Sequence, residues 1–120
     1  ALILFAHGSR DPDWAAPLRR VCALVRERSP HLRVELTFLE LMAPSLRETS
    51  AMLVSEGFER IVVLPMFIAQ GGHLKLDLPQ QIDEVRKLHP LVRFEQAAAL
   101  GDAEPIVQAM VAHVLTLAKD

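Results

Sequence analysis

The sequence predicts a single α/β domain built on a four-stranded parallel sheet with helices on both faces. Short apolar runs alternate with segments of helical periodicity four times along the chain. Such alternation favours parallel strands joined by helical crossovers. The length of 120 residues is typical of one domain. Hydrophobic residues make up 51% and charged residues 23% of the chain, which is enough apolar material for one core. We therefore assign residues 1–120 to one domain.

The predicted strands are the short apolar runs. The first and third are continuous runs, as expected of strands buried on both faces. The second alternates apolar with polar side chains, which indicates an edge strand with one wetter face. In chain order the four predicted strands are Ala1–Ala6, Leu32–Leu39, Arg60–Met66 and Leu91–Glu95.

The predicted helices are bounded by capping and stop signals. Ser45 and Glu48 form a capping box, and Gly57 is a suitable C-terminal cap. After a long loop over 67–76, Asp77 with Pro79 two residues later predicts another helix start. The four predicted helices are Trp14–Arg28, Ser45–Gly57, Asp77–His89 and Asp102–Ala118, the last capped by Asp102.

The first and last helices carry apolar stripes, the pattern of a helix that faces a core. In the first helix the stripe is Leu18, Val21, Cys22 and Val25. In the last helix it is Ile106, Val107, Met110, Val111, Val114 and Leu117.

Charge and cysteine content exclude several classes of function. The net charge of -2 gives no overall attraction to nucleic acid or to an anionic membrane. Cys22 is the only cysteine, so neither an internal disulfide nor a multi-cysteine zinc site can form, and a reducing cytoplasm is expected. No apolar run reaches the roughly 18 residues that span a bilayer, and no signal peptide is visible. The chain starts within an apolar run, so we expect an initiator Met and a few residues to precede Ala1.

Two histidines lie in the loops where an open parallel sheet binds ligands. Such sheets bind beyond the carboxyl ends of the strands, where strand order reverses. For the flavodoxin-like order 2-1-3-4 that point lies between the first and third strands, whose loops contain His7 and His73. We expect these two imidazoles to meet in one crevice. His31, His89 and His113 lie in a turn, at a helix end and within a helix, and we assign them structural roles.

Glu40 ends the second strand at the same edge of the sheet. Its carboxylate beside His7 and His73 would form a nitrogen and oxygen metal site that suits cobalt(II), iron(II), nickel(II) or zinc. Glu40 is also compatible with a solvated loop carboxylate or a helix cap, and the residues alone leave these alternatives open.

Glycines and cations flank the predicted crevice. Gly8, Gly71 and Gly72 would let backbone approach a flat ligand closely, or they serve turn geometry alone. Arg10 and Lys75 flank the two histidine loops and would pair with substrate carboxylates, although exposed cations are common on any surface.

Three competing motifs do not fit the residues around His7. Ser9 follows His-Gly, but the Gly-x-Ser-x-Gly nucleophile elbow is absent. Ala6 occupies the position of the arginine in the Arg-His-Gly motif of histidine phosphatases. A receiver domain needs an acidic cluster after the first strand, where this chain has His7. No glycine-rich nucleotide motif is present, so no nucleotide cofactor is expected.

Three ordered segments resemble the class II chelatases, specifically the small sirohydrochlorin cobaltochelatases of the CbiX type. They are Leu-Phe-Ala-His-Gly-Ser-Arg over 4–10, Phe-Leu-Glu-Leu-Met-Ala-Pro-Ser over 38–45 and Leu-Pro-Met-Phe-Ile-Ala-Gln-Gly-Gly-His-Leu over 64–74. Asp77-Leu-Pro follows at the family's usual distance. The resemblance covers nearly the whole chain, but the chain has neither the second half nor the histidine-rich tail of some relatives.

The resemblance implies insertion of a divalent metal into sirohydrochlorin, with His7 and His73 binding metal and accepting protons and Glu40 assisting. It implies a homodimer in which two copies replace the two halves of longer relatives. The metal, cobalt or iron, is then a substrate, and no redox cofactor is needed. The sequence does not decide between the cobalamin and sirohaem pathways. A non-catalytic metal or tetrapyrrole carrier and a flavodoxin-like interaction domain remain as alternatives.

Overall fold

Four parallel strands form one sheet in the order β2-β1-β3-β4, as predicted. The computed structural model describes residues 1–69 and 71–119, and the side chains at 72–74 lie outside this description. The strands are β1 (Leu2–Ala6), β2 (Val34–Phe38), β3 (Arg60–Pro65) and β4 (Arg93–Gln96). The helices are α1 (Ala16–Arg28), α2 (Leu46–Ser55), α3 (Gly72–Leu88) and α4 (Glu104–Leu117), with a short 3-10 helix at Leu100–Asp102 before α4.

Strand β1 is buried on both faces because helices cover both sides of the sheet. Ile3 and Phe5 point into the core beneath α2 and α3, which contains Leu53 and Ile82. Leu4 belongs to the opposite core, which includes the α1 and β2 side chains. The alternation of neighbouring residues between two cores is the period of a strand. In the described part of the chain, no helix is long and apolar enough to cross a membrane.

Three expectations about the first half of the chain are corrected. The wetter face predicted for β2 is wrong at Thr37, which is completely buried because α2 packs beside that strand. In α1, Cys22 is buried as predicted, whereas Val21 is 41% exposed and lies off the core face. The helix begins at Ala16, since residues 12–15 form turns and Pro17 occupies its first turn.

Helix α3 begins five residues earlier than predicted. Gly71 is its N-cap residue, with extended backbone angles, so Asp77 and Pro79 lie inside the helix. Lys75 and Leu76 have high helix propensity, and the Lys75 N–H already donates to the Gly71 carbonyl at 3.3 Å. Pro79 costs the helix one backbone hydrogen bond. The predicted loop over 67–76 is correspondingly shorter.

The two expectations about α4 are also wrong. Asp102 belongs to the 3-10 helix, and Ala103 is the N-cap of α4 without a side-chain hydrogen bond. The predicted stripe does not pack on a core, since no described residue of α4 is buried. Val114 and Leu117 are 62% and 75% exposed.

Candidate functional site

The loops after β1 and β2 are joined by backbone hydrogen bonds at the carboxyl edge of the sheet. The Leu39 N–H donates to the Ala6 carbonyl at 2.8 Å and the Glu40 N–H donates to the His7 carbonyl at 3.2 Å. These bonds extend the parallel β1–β2 pairing beyond its last register pair, Ala6 with Phe38. The backbone therefore fixes positions 7 and 40 side by side.

The side chains of His7 and Glu40 are in contact, as predicted from their place at the same edge of the sheet. His7 Nε2 lies 3.3 Å from Glu40 Oε1, and the two side chains are 39% and 51% exposed. His7 Nδ1 lies 3.0 Å from the Gly8 carbonyl oxygen. A carbonyl can only accept, so this bond requires the proton on Nδ1. In the neutral ring Nε2 then presents a lone pair toward the carboxylate.

A lone pair and a carboxylate oxygen repel each other at this distance unless a proton or a cation lies between them. A proton on Nε2 satisfies the pair, and so does a divalent cation bound by both atoms. With ordinary metal–nitrogen and metal–oxygen distances of about 2.0–2.2 Å, the 3.3 Å separation corresponds to an angle of roughly 105° at the metal. The pair can therefore supply two ligands to one tetrahedral ion.

Position 8 requires a glycine because another part of the protein backbone lies too close to leave room for a side chain. Its φ is +95°, and a Cβ built there would lie 1.9 Å from the Glu40 carbonyl oxygen. The space that we expected to serve a flat ligand is thus filled by the loop after β2. The missing side chain lets the His7 and Glu40 loops approach each other.

Leu41 adopts a left-handed backbone conformation directly after Glu40. Its φ of +67° is the only positive value at a described non-glycine residue, and its side chain is 54% exposed. A leucine in this region is strained, and such strain concentrates at functional sites. The motif that identified Glu40 gave no signal for this conformation.

An open cavity of about 390 Å³ adjoins Glu40. The cavity is also lined by Leu39 and by one face of α3, which was not predicted from the sequence. Asp77, Gln80, Gln81 and Glu84 have the i, i+3, i+4 and i+7 spacing of one helix face. This spacing would have identified them if the start of α3 had been placed correctly.

The third strand ends beside the first, and His73 follows it in sequence. The Met66 N–H donates to the Phe5 carbonyl at 2.8 Å, which continues the β1–β3 pairing. His73 lies in the first turn of α3, but its side chain is outside the described part. The predicted meeting of His7 and His73 therefore stays a prediction.

Three of the remaining predicted binding residues, Arg10, Gly71 and Lys75, are exposed. Arg10 lies in the loop after β1, and Lys75 lies in the first turns of α3. Gly71 is exposed at the N-cap of the same helix, and Gly72 is its first residue. Among the residues whose side chains are described, no three His, Cys, Asp or Glu groups lie close enough to hold a metal ion. The three-ligand site with His73 remains untested.

The CbiX family model matches residues 1–117 of the chain. A sirohydrochlorin cobaltochelatase from Sulfurisphaera tokodaii is 30% identical over 115 residues, covering 95% of this chain and 86% of the relative. The one from Methanococcus aeolicus is 34% identical over 80 residues, which is 67% of this chain but only 56% of the relative. A Bacillus subtilis sirohydrochlorin ferrochelatase is 28% identical over 113 residues, covering 92% of this chain and 42% of the relative.

The fold is similar to a solved structure of nearly equal length. A Marinobacter aquaeolei VT8 CbiX protein named for cobalamin (vitamin B12) biosynthesis superposes with a TM-score of 0.79 and 28% identity. The match covers 96% of this chain and 92% of that protein.

Proposed function

Because the chain belongs to the CbiX family, we propose that it inserts a divalent metal, cobalt or iron, into sirohydrochlorin. The observation that carries the proposal is the His7–Glu40 contact at 3.3 Å, with Nδ1 bonded to the Gly8 carbonyl and Nε2 directed at the carboxylate. Sirohydrochlorin chelatases for cobalt and for iron are both among the relatives. The proposal covers either metal.

In the proposed reaction, the dication replaces two pyrrole protons of the macrocycle. His7 Nε2 and Glu40 hold the arriving metal, together with His73. As the metal passes to the macrocycle nitrogens, the freed imidazole and carboxylate accept the released protons and pass them to water. Neutral imidazole is suited to both tasks near pH 7.

In this proposal the metal ion and sirohydrochlorin bind to parts of the site that carry opposite charges. Glu40 and Glu84 give the 390 Å³ cavity an acidic lining, which attracts a dication and disfavours the carboxylates of sirohydrochlorin. Arg10 and Lys75 are exposed cations of the two flanking segments, and we assign them to those carboxylates. Gly71 and Gly72 are assigned to close approach of the macrocycle.

We also propose a homodimer in the cytoplasm. A macrocycle is larger than one pair of loops, so a second copy would supply the facing wall of the cleft. The cytoplasmic assignment rests on Cys22, a free buried thiol that is the only cysteine of the sequence.

The test is the rate at which sirohydrochlorin and cobalt(II), or iron(II), give the visible spectrum of the metallated product. We expect turnover by the wild type and a loss of about 10²-fold or more in His7→Ala and in His73→Ala. The double variant should be little worse than the worse single variant, because groups that act as a unit are not additive. His31→Ala, which changes an exposed histidine between α1 and β2, serves as the matched control.

Circular dichroism verifies that each variant is folded. A near-wild-type rate in a folded single variant would remove that histidine from the mechanism. Stoichiometric binding of metal or macrocycle by the wild type without turnover would instead identify a carrier.

A further inference from the structure

The peptide between Leu39 and Glu40 is held by hydrogen bonds at both of its polar groups. Its N–H, which belongs to Glu40, donates to the His7 carbonyl at 3.2 Å. Its carbonyl, which belongs to Leu39, accepts a hydrogen bond from Gln81 Nε2 at 3.5 Å. The peptide is planar and its two polar groups point in opposite directions. Bonds at both groups therefore fix the orientation of this peptide as well as its position.

The orientation of this peptide affects the direction of the Glu40 side chain. Rotation about the bonds on either side of the plane changes ψ of Leu39 and φ of Glu40, and with them the direction in which the Glu40 side chain leaves the backbone. The Leu39 side chain packs on the core beneath α2 and α3, but this packing does not fix the plane of the peptide that follows. The hydrogen bonds to His7 and Gln81 supply that constraint.

Gln81 bridges a gap between α3 and the loop after β2. The cavity of about 390 Å³ beside Glu40 and a second cavity of about 220 Å³ are both lined by Leu39, Gln81 and Glu84. These shared residues lie at the common border of the two cavities, so open space lies on either side of the bridge. The half-buried Gln81 amide is thus a direct polar contact between α3 and the loop.

The bridge joins the segments that carry the proposed metal ligands. Gln81 lies on α3 roughly two turns after His73. At the other end of the bridge, Glu40 lies 3.3 Å from His7 Nε2. The Gln81 hydrogen bond therefore connects the helix that contains His73 to the loop that contains Glu40.

We infer that Gln81 is a positioning residue for the metal site, which orients Glu40 toward the metal by holding the Leu39–Glu40 peptide. Residues that fix a ligand without binding the metal change metal affinity by about 10–100-fold when they are replaced. Gln81 acts through the backbone of the ligand and its hydrogen bond is long, so we expect the lower end of this range. The inference rests on the proposed function, because it requires Glu40 to bind the metal.

Titration of the protein with cobalt(II), without sirohydrochlorin, tests the inference. Gln81→Met removes the donor and keeps a side chain of similar length and helix propensity. We expect it to raise the dissociation constant for cobalt(II) about 10-fold and to alter the visible spectrum of the bound ion, because a displaced Glu40 changes the ligand geometry. Gln80→Met is the matched control, since Gln80 lines the same cavity without taking part in the bridge.

Chelation kinetics provide a second readout that a purely structural role would not produce. Gln81→Met should raise the KM for cobalt(II) by a similar factor and leave the KM for sirohydrochlorin unchanged. A general loss of structure would weaken the binding of both substrates. If Gln81→Met does not fold by circular dichroism, Gln81→Asn repeats both measurements, because its shorter side chain does not reach the Leu39 carbonyl.

A double variant decides whether Gln81 acts through Glu40. In a Glu40→Ala protein, Gln81→Met should change the cobalt(II) dissociation constant little, because the two residues act on one interaction and their effects are not additive. The full effect of Gln81→Met in both backgrounds would overturn the inference.

The same measurements distinguish failure of the inference from failure of the proposed function. A folded Gln81→Met protein with wild-type cobalt(II) affinity, spectrum and KM would overturn the inference and leave the proposed function standing. A wild type that neither binds cobalt(II) nor turns over would overturn both.

Discussion

Backbone contacts place Glu40 beside His7. The Glu40 N–H donates to the His7 carbonyl at 3.2 Å, and Gly8 leaves room for the Glu40 carbonyl. Leu41 follows in a bend of the chain, with a φ of +67°. The two reactive groups are thus carried on adjoining segments of one hydrogen-bonded framework.

Gly8→Ala should destabilise the protein and lower the chelation rate. The new Cβ would meet the Glu40 carbonyl oxygen at 1.9 Å at a backbone φ of +95°. A left-handed conformation alone costs a non-glycine residue about 1–3 kcal/mol, and the clash adds to that by pushing Glu40 away from His7. Urea unfolding and the chelation assay measure the two effects.

Two other glycines separate these causes. Gly57 has the same φ of +95° with open space around a Cβ, so Gly57→Ala should show the conformational cost alone. Gly71 has a φ of -72° and also has open space, so Gly71→Ala should change stability little. Equal losses of stability in Gly8→Ala and Gly57→Ala would contradict a role for the clash.

At the scale of elements, α2 and α4 differ in how they begin. In α2 the Glu48 N–H donates to Ser45 Oγ and the Ser45 N–H donates to Glu48 Oε1, both at 3.1 Å. In α4 the N-cap is Ala103, and the preceding Asp102 makes no cap. The stability of α2 therefore depends on its capping side chain, and that of α4 does not.

Ser45→Ala should lower the free energy of unfolding by about 1 kcal/mol, since it removes a capping side chain. Asp102→Ala is the matched comparison, and we expect a change within about 0.5 kcal/mol, as at other exposed positions. Chemical denaturation of both variants measures the difference. A larger loss in Asp102→Ala than in Ser45→Ala would show that the caps are assigned incorrectly.

Strands β3 and β4 are also joined by an ion pair that titrates in acid. Arg60 Nη2 donates to Glu95 Oε2 at 2.8 Å, and Arg93 Nε lies 2.6 Å from Glu95 Oε1. The hydrogen bond from Arg60, with the charges of Arg60 and Arg93, lowers the pKa of Glu95 below its ordinary value of 4.5. The ionised form is therefore favoured in the folded state.

The contribution of Glu95 to stability should be fully present above pH 4.5 and should be lost as the pH falls through the lower folded-state pKa. Glu95→Gln lacks this titration, so the stability difference from wild type should shrink between pH 6 and acid conditions. Because the pair is exposed, about 1 M salt should also reduce the difference. A difference that is independent of both pH and salt would refute the ion-pair explanation.

At the scale of the whole molecule, the proposed homodimer couples folding to association. If the dimer is the stable form, mass action makes the midpoint of thermal unfolding rise with protein concentration. We expect this rise for the wild type. Calorimetry over a 100-fold range of concentration tests it, and a concentration-independent wild type would contradict the coupling.

The order of the strands in the sheet could be predicted because it follows from patterns that extend along the whole chain. Alternating strands and helices favour one parallel sheet, and the buried runs at Leu2–Ala6 and Ile61–Leu64 indicated its central strands. The position of Glu40 beside His7 followed from the same edge rule. These features depend on patterns that several residues share.

The predictions that proved wrong each depended on a local sequence pattern that is compatible with more than one structure. Asp77 and Pro79 have the pattern of a helix start, yet the helix begins at Gly72 because favourable residues precede them. The stripe of α4 predicts an apolar partner but does not say which surface supplies it. Thr37 is polar and nevertheless buried, since burial depends on the neighbouring helix rather than on the strand alone.

The exposed face of α4 has a consequence for the solubility of the protein. No described residue of this helix is buried, and Val114 and Leu117 are 62% and 75% exposed. Large apolar patches in solvent promote aggregation, and sulfate strengthens apolar association. The protein should therefore precipitate at a lower sulfate concentration than a variant in which this face is made polar.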